Sequence, residues 1–294
     1  MEDFLQVPGL GELCVRSLSR EDFGDTAMRW ALQEGWNPGI ADTDIFYESE
    51  PEAHLGLELK GRIIGSGSIP SYEGGFGFMG LFIMSAEFRG QGIGKALWYY
   101  RRDCLLRRLR PGAAIGMDGV FAMQDFYHKG GFEFSHRNLR MQGLATDGMV
   151  DPSILPCNAE DFEIVSAYDE RHFGFPRKTF LKLWLHHPLV KTLKYNDGTA
   201  IRGLVSFRPC AKGYKIGPLF ADDSEIAMAL LQAVMSLIPG EVIFLDIPEN
   251  NADALTLAAS FSLNEVFGCA RMYYGHKPLL PWGNIYGITT FEMG

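Results

Sequence analysis

FIMSAEFRGQGIGKAL, residues Phe82–Leu97, runs an apolar strand into a turn with glycines at positions 90, 92 and 94, and then into an uninterrupted run of helix formers. A helix start leaves backbone N–H groups unpaired and carries partial positive charge, so it is an anion site by construction. Gly90, Gly92 and Gly94 have no side chains to hold a diphosphate away from those amides. Arg89 and Lys95 stand ready to add charge. The spacing is not that of a P-loop, which needs GxxxxGK followed by Ser or Thr, nor of a GxGxxG dinucleotide fingerprint. Taken alone, the three glycines also fit a turn that binds nothing.

Working outward, Gly77–Met84 is a nearly unbroken apolar run and predicts a strand buried on both faces. Ile93–Leu109 predicts a helix, stopped by Pro111-Gly112. Ala113–Gly116 reads as a short buried strand, and Ala122–Lys129 as a helix ending before Gly130-Gly131. Upstream, Leu13–Leu18 reads as a strand, and Ser19 opens a helix that runs to about Glu34 and stops at Gly35. His54–Glu58 and Arg62–Ser68 read as paired strands around Lys60-Gly61.

The second half repeats this plan with losses. Gly116–Gly143 and Phe244–Gly275 each hold a strand ending in Asp (Asp118, Asp246), with Phe132 and Phe261 following 14 and 15 residues later. Each then closes on a strand with Arg-Met (Arg140-Met141, Arg271-Met272). Ala221-Asp222-Asp223-Ser224 stands where the first half has its glycine turn. The turn formers of Gly143–Pro156 mark the boundary, giving domains 1–147 and 148–294. A chain of 294 residues accommodates two cores.

Arg89-x-x-Gly92-x-Gly94 matches the Gln/Arg-x-x-Gly-x-Gly/Ala motif of the GNAT superfamily of N-acetyltransferases, and Tyr127–Glu133 (YHKGGFE) resembles that family's YxKxGF. The resemblance covers about Val15–Gly143 well and Ile164–Gly275 as a degenerate copy. Gly35-Trp36-Asn37-Pro38-Gly39 and the C-terminal RMYYG are similar to a tandem group within it. The implied fold is α/β (α+β): two tandem GNAT-like domains, each a mixed, mostly antiparallel sheet flanked by helices. The implied activity is acetyl-CoA-dependent N-acetyl transfer to a primary amine of a small molecule or peptide. Phe82, Ile83 and Met84 would pair with the pantetheine arm. The amides of Arg89, Gly90, Gln91, Gly92, Ile93, Gly94 and Lys95 would take the pyrophosphate.

Tyr127 holds the family's tyrosine position, where a phenol of pKa ~10 can protonate the leaving thiolate. It also fits a core tyrosine. The asparagine often found seven residues earlier is Val120 here, and Gln124 is the candidate replacement. No acid lies on Gly77–Met84 to serve as base, so Asp118 is the leading candidate, though it equally suits a helix cap. Glu73 and His128 are weaker, and His186-His187 lack a partner. Met79, Met84 and Phe126 point to a small acyl pocket. Without the glycine turn, the second half is expected to bind no acetyl-CoA and to cover the acceptor cleft. Phe173–Arg177 and Trp282–Phe291 are its possible walls, Arg177 meeting either an acidic substrate group or an interdomain carboxylate. A non-catalytic acetyl-CoA-binding regulator and a transferase of another acyl group are the competing readings.

Composition sets outer limits. A net charge of −9 argues against nucleic acid as partner and weakly favours cationic acceptors. Arg101, Arg102, Arg107, Arg108 and Arg110 read as a solvated helix face. The 5 cysteines (Cys14, Cys104, Cys157, Cys210, Cys269) are scattered with no CxxC and no zinc spacing, so no metal is implied and a reducing compartment fits. MEDFLQVPGL lacks a signal-peptide pattern, and no run approaches the ~18 apolar residues of a membrane span. The expected location is cytoplasmic; the sequence leaves oligomeric state and acceptor identity open.

Overall fold

A computed structural model describes residues 2–7 and 10–294; Met1, Pro8 and Gly9 of the N-terminal stretch lie outside the described residues. The first half contributes β1 (Glu2–Val7), β2 (Gly11–Ser17), β3 (His54–Leu59), β4 (Arg62–Ser68), β5 (Ser71–Tyr72), β6 (Phe76–Phe78), β7 (Gly80–Met84), β8 (Ala114–Val120) and β9 (Phe132–Leu144). Its helices are α1 (Arg20–Phe23), α2 (Arg29–Gln33), α3 (Asp42–Ser49), α4 (Ile93–Arg108) and α5 (Gln124–Lys129), a π-helical turn joining α1 to α2. The second half holds β10 (Ile154–Pro156), α6 (Phe162–Phe173), α7 (Lys178–His186), β11 (Lys191–Asn196), β12 (Ile201–Pro209), β13 (Tyr214–Ala221), α8 (Ser224–Leu237), β14 (Val242–Pro248), α9 (Ala252–Ser260), β15 (Asn264–Tyr274) and β16 (Ile285–Gly287).

Local expectations hold where the signal is local. Ser19 caps α1 by accepting the Asp22 amide at 3.0 Å, and the helical run ends before Gly35 at φ 78°. The Lys60-Gly61 turn closes the β3–β4 hairpin. Two readings change. Gly77–Met84 is not one strand: β6 pairs with β8, while β7 pairs with β4 in a different sheet, and Leu81 turns through φ 49°. Apolarity on both faces is the same before and after a sheet change, so the pattern could not reveal it. The expected short strand at Ala113–Gly116 extends to Val120.

The sheets do not divide one per half. A five-stranded sheet runs β1-β2-β3-β4-β7; an eleven-stranded sheet runs β10-β11-β12-β13-β14-β9-β15-β8-β6-β5, with β16 on β13. The closing strands are exchanged. β9 of the first half pairs with β14 of the second, and β15 of the second pairs with β8 of the first. The repeated Asp and Arg therefore meet across the repeat, Arg271 opposite Asp118 and Arg140 opposite Asp246.

Each half centres an apolar cluster on its long helix, while a further cluster joins Phe23, Ile45 and Phe46 of the first half to Phe180, Trp184 and Met293 of the second. α4 buries Ile93, Leu97, Trp98 and Leu105 in the first, and α8 buries Leu230, Leu231 and Val234 in the second. Arg101 is not on a solvated face as its neighbours suggested. It is fully buried, and one guanidinium nitrogen donates to the carbonyls of Ser68 and Gly80 at 2.7 Å each, tying β4 to β7 where the sheets part.

Candidate acyl-transfer site

β7 is the edge where the two sheets separate, and the glycine turn comes directly after it. Gly92 caps α4 at φ 79°, in the left-handed region that only glycine enters without strain. Among the described residues, the amides of Gly90, Gln91, Gly92, Ile93 and Gly94 have no hydrogen-bond acceptor. Five successive donors at the start of a four-turn helix form a cradle for an anion. The side chains behave less uniformly than expected. Arg89 turns away, donating to the Met84 carbonyl at 2.8 Å and pairing with Glu34 at 2.5 Å, so it braces the turn. Gln91 bonds back to the Glu87 carbonyl, and Ile93 is buried in the core. Lys95 stays exposed beside the cradle.

From this turn a groove of about 420 Å³ runs along Phe82, Ile83 and Met84 to Tyr127. Met123, Phe126 and Tyr127 line it together because they lie at i, i+3 and i+4. Gln124, one position round from Met123, does not line it, which removes the expected polar replacement for the asparagine.

Tyr127 packs its ring directly over Gly119 of β8, where any Cβ would lie 2.3 Å from the ring. The residue is buried, and its hydroxyl has no hydrogen-bond partner among the described residues. Burial pushes the phenol up to about 12, with the nearby Cys269 adding to the shift and Arg101 opposing it. At neutral pH it is a proton donor.

Behind the groove lies an inner cavity of about 70 Å³. Trp36, Phe82, Val120 and Tyr127 line both spaces, so Tyr127 stands at their junction. The second half completes the cavity with Phe267, Cys269, Phe291 and Glu292. Sequence reasoning placed a wall at Trp282–Phe291 and missed Glu292; Trp36 appeared only as part of a family-like loop. Phe267 and Phe291 meet edge-on at 5.9 Å, and the Arg140 guanidinium lies 4.8 Å from the Phe291 ring. Burial raises the Cys269 thiol well above its ordinary range, so it is a neutral lining group rather than a nucleophile.

The structure commits Asp118 to another task than base. Arg271 grips its carboxylate through two hydrogen bonds of 2.9 and 2.6 Å, and Asn138 adds a third at 2.8 Å. The same fork joins Arg140 to Asp246 at 2.7 Å twice. Burial pushes the Asp118 carboxyl upward against the pull of Arg271. Asp118 lines the inner cavity, but three hydrogen bonds, two of them from one guanidinium, hold its carboxylate as a strut between halves. The other candidates lie elsewhere: Glu73 lines neither space, and His128 is exposed beside Glu133. His186 bonds its own helix, and His187 lies 3.9 Å from Asp44. Phe173–Arg177 lines neither space; Arg177 forks onto Asp169 within its own half at 2.8 and 2.6 Å, not across the domains. Among the described residues no His/Cys/Asp/Glu group is placed to hold a metal.

The equivalent place in the second half is filled. Asp223 caps α8 with its carboxylate, accepting the Ile226 amide at 2.9 Å, so negative charge sits where the first half presents bare amides. β16 pairs with β13 at Leu219 and Phe220, the counterparts of the groove edge Phe82–Ile83. Asn251, close to where an active copy would carry its asparagine, caps α9 and donates to the Ile285 carbonyl at 3.0 Å, holding β16 in place.

Comparison with known proteins bears on the family and the fold. The acetyltransferase (GNAT) family profile matches residues 16–132, and a second acetyltransferase (GNAT) domain profile matches residues 165–287. The chain is 26% identical over 268 residues, 90% of this chain and 89% of the relative, to a holothin acyltransferase of Pseudoalteromonas sp. (strain SANK 73390). A putative acetyltransferase from Pyrococcus horikoshii superposes with TM-score 0.83 at 23% identity, covering 99% of this chain and 98% of that one. A tandem GNAT protein from the clavulanic acid biosynthesis pathway superposes with TM-score 0.61 at 14% identity, over 91% and 99% of the two chains. Among the described residues no helix is long and apolar enough to cross a membrane. With a GNAT profile matching each half, this chain belongs to the GNAT acetyltransferase superfamily as a tandem of two GNAT domains.

Proposed function

We propose that the protein transfers an acyl group, acetyl in the simplest case, from a CoA thioester to the primary amine of a small acceptor by direct attack in a ternary complex. One observation carries this reading: the groove leading from five unpaired amides meets an inner apolar cavity at the free hydroxyl of Tyr127. The pyrophosphate belongs on the amides of Gly90–Gly94 with Lys95 alongside, the pantetheine arm along Phe82–Met84, and the thioester beside Tyr127. Direct attack is supported by Cys269, whose thiol burial raises well above its ordinary range and so disfavours as a covalent nucleophile in this cavity. Tyr127 protonates the departing thiolate.

Residues 1–147 carry the donor site on this reading, and residues 148–294 complete the acceptor cavity. A cavity walled by Trp36, Phe82, Phe267 and Phe291 suits a compact amine with an apolar or aromatic body. The relative named for holothin makes that amine the first acceptor to try. The free cysteines suit a reducing, cytoplasmic setting. The experiment is mass-spectrometric detection of acylated product. The purified protein is incubated with acetyl-CoA or propionyl-CoA and a panel of holothin, tyramine, tryptamine, spermidine and glucosamine. Products from the compact aromatic amines are expected. Acetyl-CoA binding with no transfer to any amine would leave a regulator in place of an enzyme.

A further inference from the structure

The tail beyond β16 is fastened. Met293 donates its amide to the Thr290 hydroxyl at 2.9 Å and accepts the Tyr72 hydroxyl at its carbonyl. This seats Glu292 at the inner cavity, which it lines together with Tyr127. Glu292 is 2% exposed, yet neither carboxylate oxygen has a hydrogen-bond partner among the described residues. Lys215 of β13 lies 3.5 Å away, and its ammonium likewise makes no hydrogen bond among them. The contrast with Asp118 and Asp246, each forked by an arginine, is direct. Buried carboxylates collect donors, and one left without them invites a ligand or a water.

Resting on the transferase reading, we propose that Glu292 is the proton acceptor for the attacking amine. The amine nitrogen forms the new C–N bond at the thioester carbonyl and gives one proton to the Glu292 carboxylate, directly or through one water. The C–S bond breaks, its electron pair leaves on sulfur, and sulfur takes the Tyr127 proton. Glu292 then releases its proton to solvent, and Tyr127 recovers one. Amine and thioester become amide and thiol with no further reactant. The charged and titratable groups around Glu292 are Lys215 on β13, Arg208 on β12 with its partner Asp42 on α3, Arg140 on β9 with Asp246 on β14, Cys269 on β15, and, lining the same cavity, Tyr127 on α5 and Asp118 on β8 with its partner Arg271 on β15. Asp42, Asp246 and Asp118, the other carboxylate lining the cavity, are each forked by an arginine, which leaves Glu292 as the carboxylate with no hydrogen bond among the described residues.

The test is kcat/KM against pH for the wild type, E292Q and the double variant K215M/E292Q, using an amine that the wild type acylates. The double variant removes both members of the Lys215–Glu292 contact, so it leaves no buried charge unpaired and carries the test if E292Q does not fold. Both variants should bind acetyl-CoA as the wild type does, lose kcat about 100-fold or more, and lose the wild type's fall in rate on the acid side. A double variant within about threefold of wild-type kcat, far short of a base's usual effect, would overturn the assignment and leave Glu292 as Lys215's structural counter-ion. A wild type that acylates no amine is a separate result, which would overturn the transferase reading and this inference with it.

Discussion

Tyr127 and Gly92 carry the two residue-scale claims. Tyr127→Phe keeps the ring on Gly119 and its contact with Trp98 at 6.0 Å, so folding and acetyl-CoA binding should survive. What goes is a proton delivered only as the C–S bond breaks. kcat and kcat/KM should therefore fall together by about 100-fold with KM nearly unchanged; a variant turning over normally would return Tyr127 to the core. At Gly92 two effects must be separated. A Cβ there meets nothing within 4 Å, but φ is 79°, so any side chain is strained as well as placed over the cradle. Gly92→Glu should weaken acetyl-CoA binding at least tenfold, or more than ~1.4 kcal/mol. It should also lose about 1–2 kcal/mol of stability to backbone strain. Gly112→Glu, at φ 83° and outside the groove, supplies the control: the same thermal penalty with acetyl-CoA affinity by calorimetry unchanged.

At the scale of elements, the two halves differ in the segments that succeed their equivalent strands. After β7 the chain makes a turn of bare amides and leaves the strand edge open to the groove; β13 has Asp223 at the helix start and β16 along its edge. A carboxylate in the cradle repels the diphosphate, and a paired strand occupies the edge that the pantetheine arm would need. Acetyl-CoA should therefore titrate to one equivalent per chain. A calorimetric endpoint at two equivalents of similar affinity would mean that β16 can be displaced. The repeat was legible in the sequence because Asp118, Asp246 and the two Arg-Met pairs recur in the same order at similar distances. Its filling was not, since β16 reaches β13 from more than 60 residues downstream.

The exchange of β9 and β15 makes the molecule one cooperative object. An isolated first half would leave β8 without β15, β9 without β14, and Arg140 without Asp246. Residues 1–147 expressed alone should show no cooperative unfolding by circular dichroism, and co-expression with residues 148–294 should restore it. Acid sensitivity belongs at this scale too. Burial depresses His54 to about 4, and its partners fix the neutral form. Nε2 donates to the Phe46 carbonyl at 2.9 Å, so Nδ1 accepts from the Ser68 hydroxyl at 2.8 Å. The unfolded chain, with histidine near 6.5, takes the proton first. The contribution is thus complete above about pH 6.5 and is lost as the pH falls toward about 4. From pH 7 to 5 His54 should account for about 2 kcal/mol of lost stability. Urea unfolding of the wild type and H54Q at the two pH values should show that difference; equal slopes would mean His54 is protonated in the folded protein.

The sequence by itself determined the glycine-turn side of the candidate site. Strand, glycine turn and helix are contiguous in Phe82–Leu97, a helix start exposes its amides wherever it forms, and the positive φ at Gly92 is a demand of the local backbone. Tyr127 was legible for the same reason, from a motif read along six residues. The inner cavity was decided only in three dimensions. Asp118 looked like a base until Arg271, 153 residues away, closed on its carboxylate. Glu292 looked like nothing until the Tyr72 hydroxyl, 221 residues from Met293, pinned the tail beside Tyr127. Whether a buried carboxylate is a strut or a proton acceptor depends on which donors reach its oxygens, and folding, not spacing along the chain, supplies those donors.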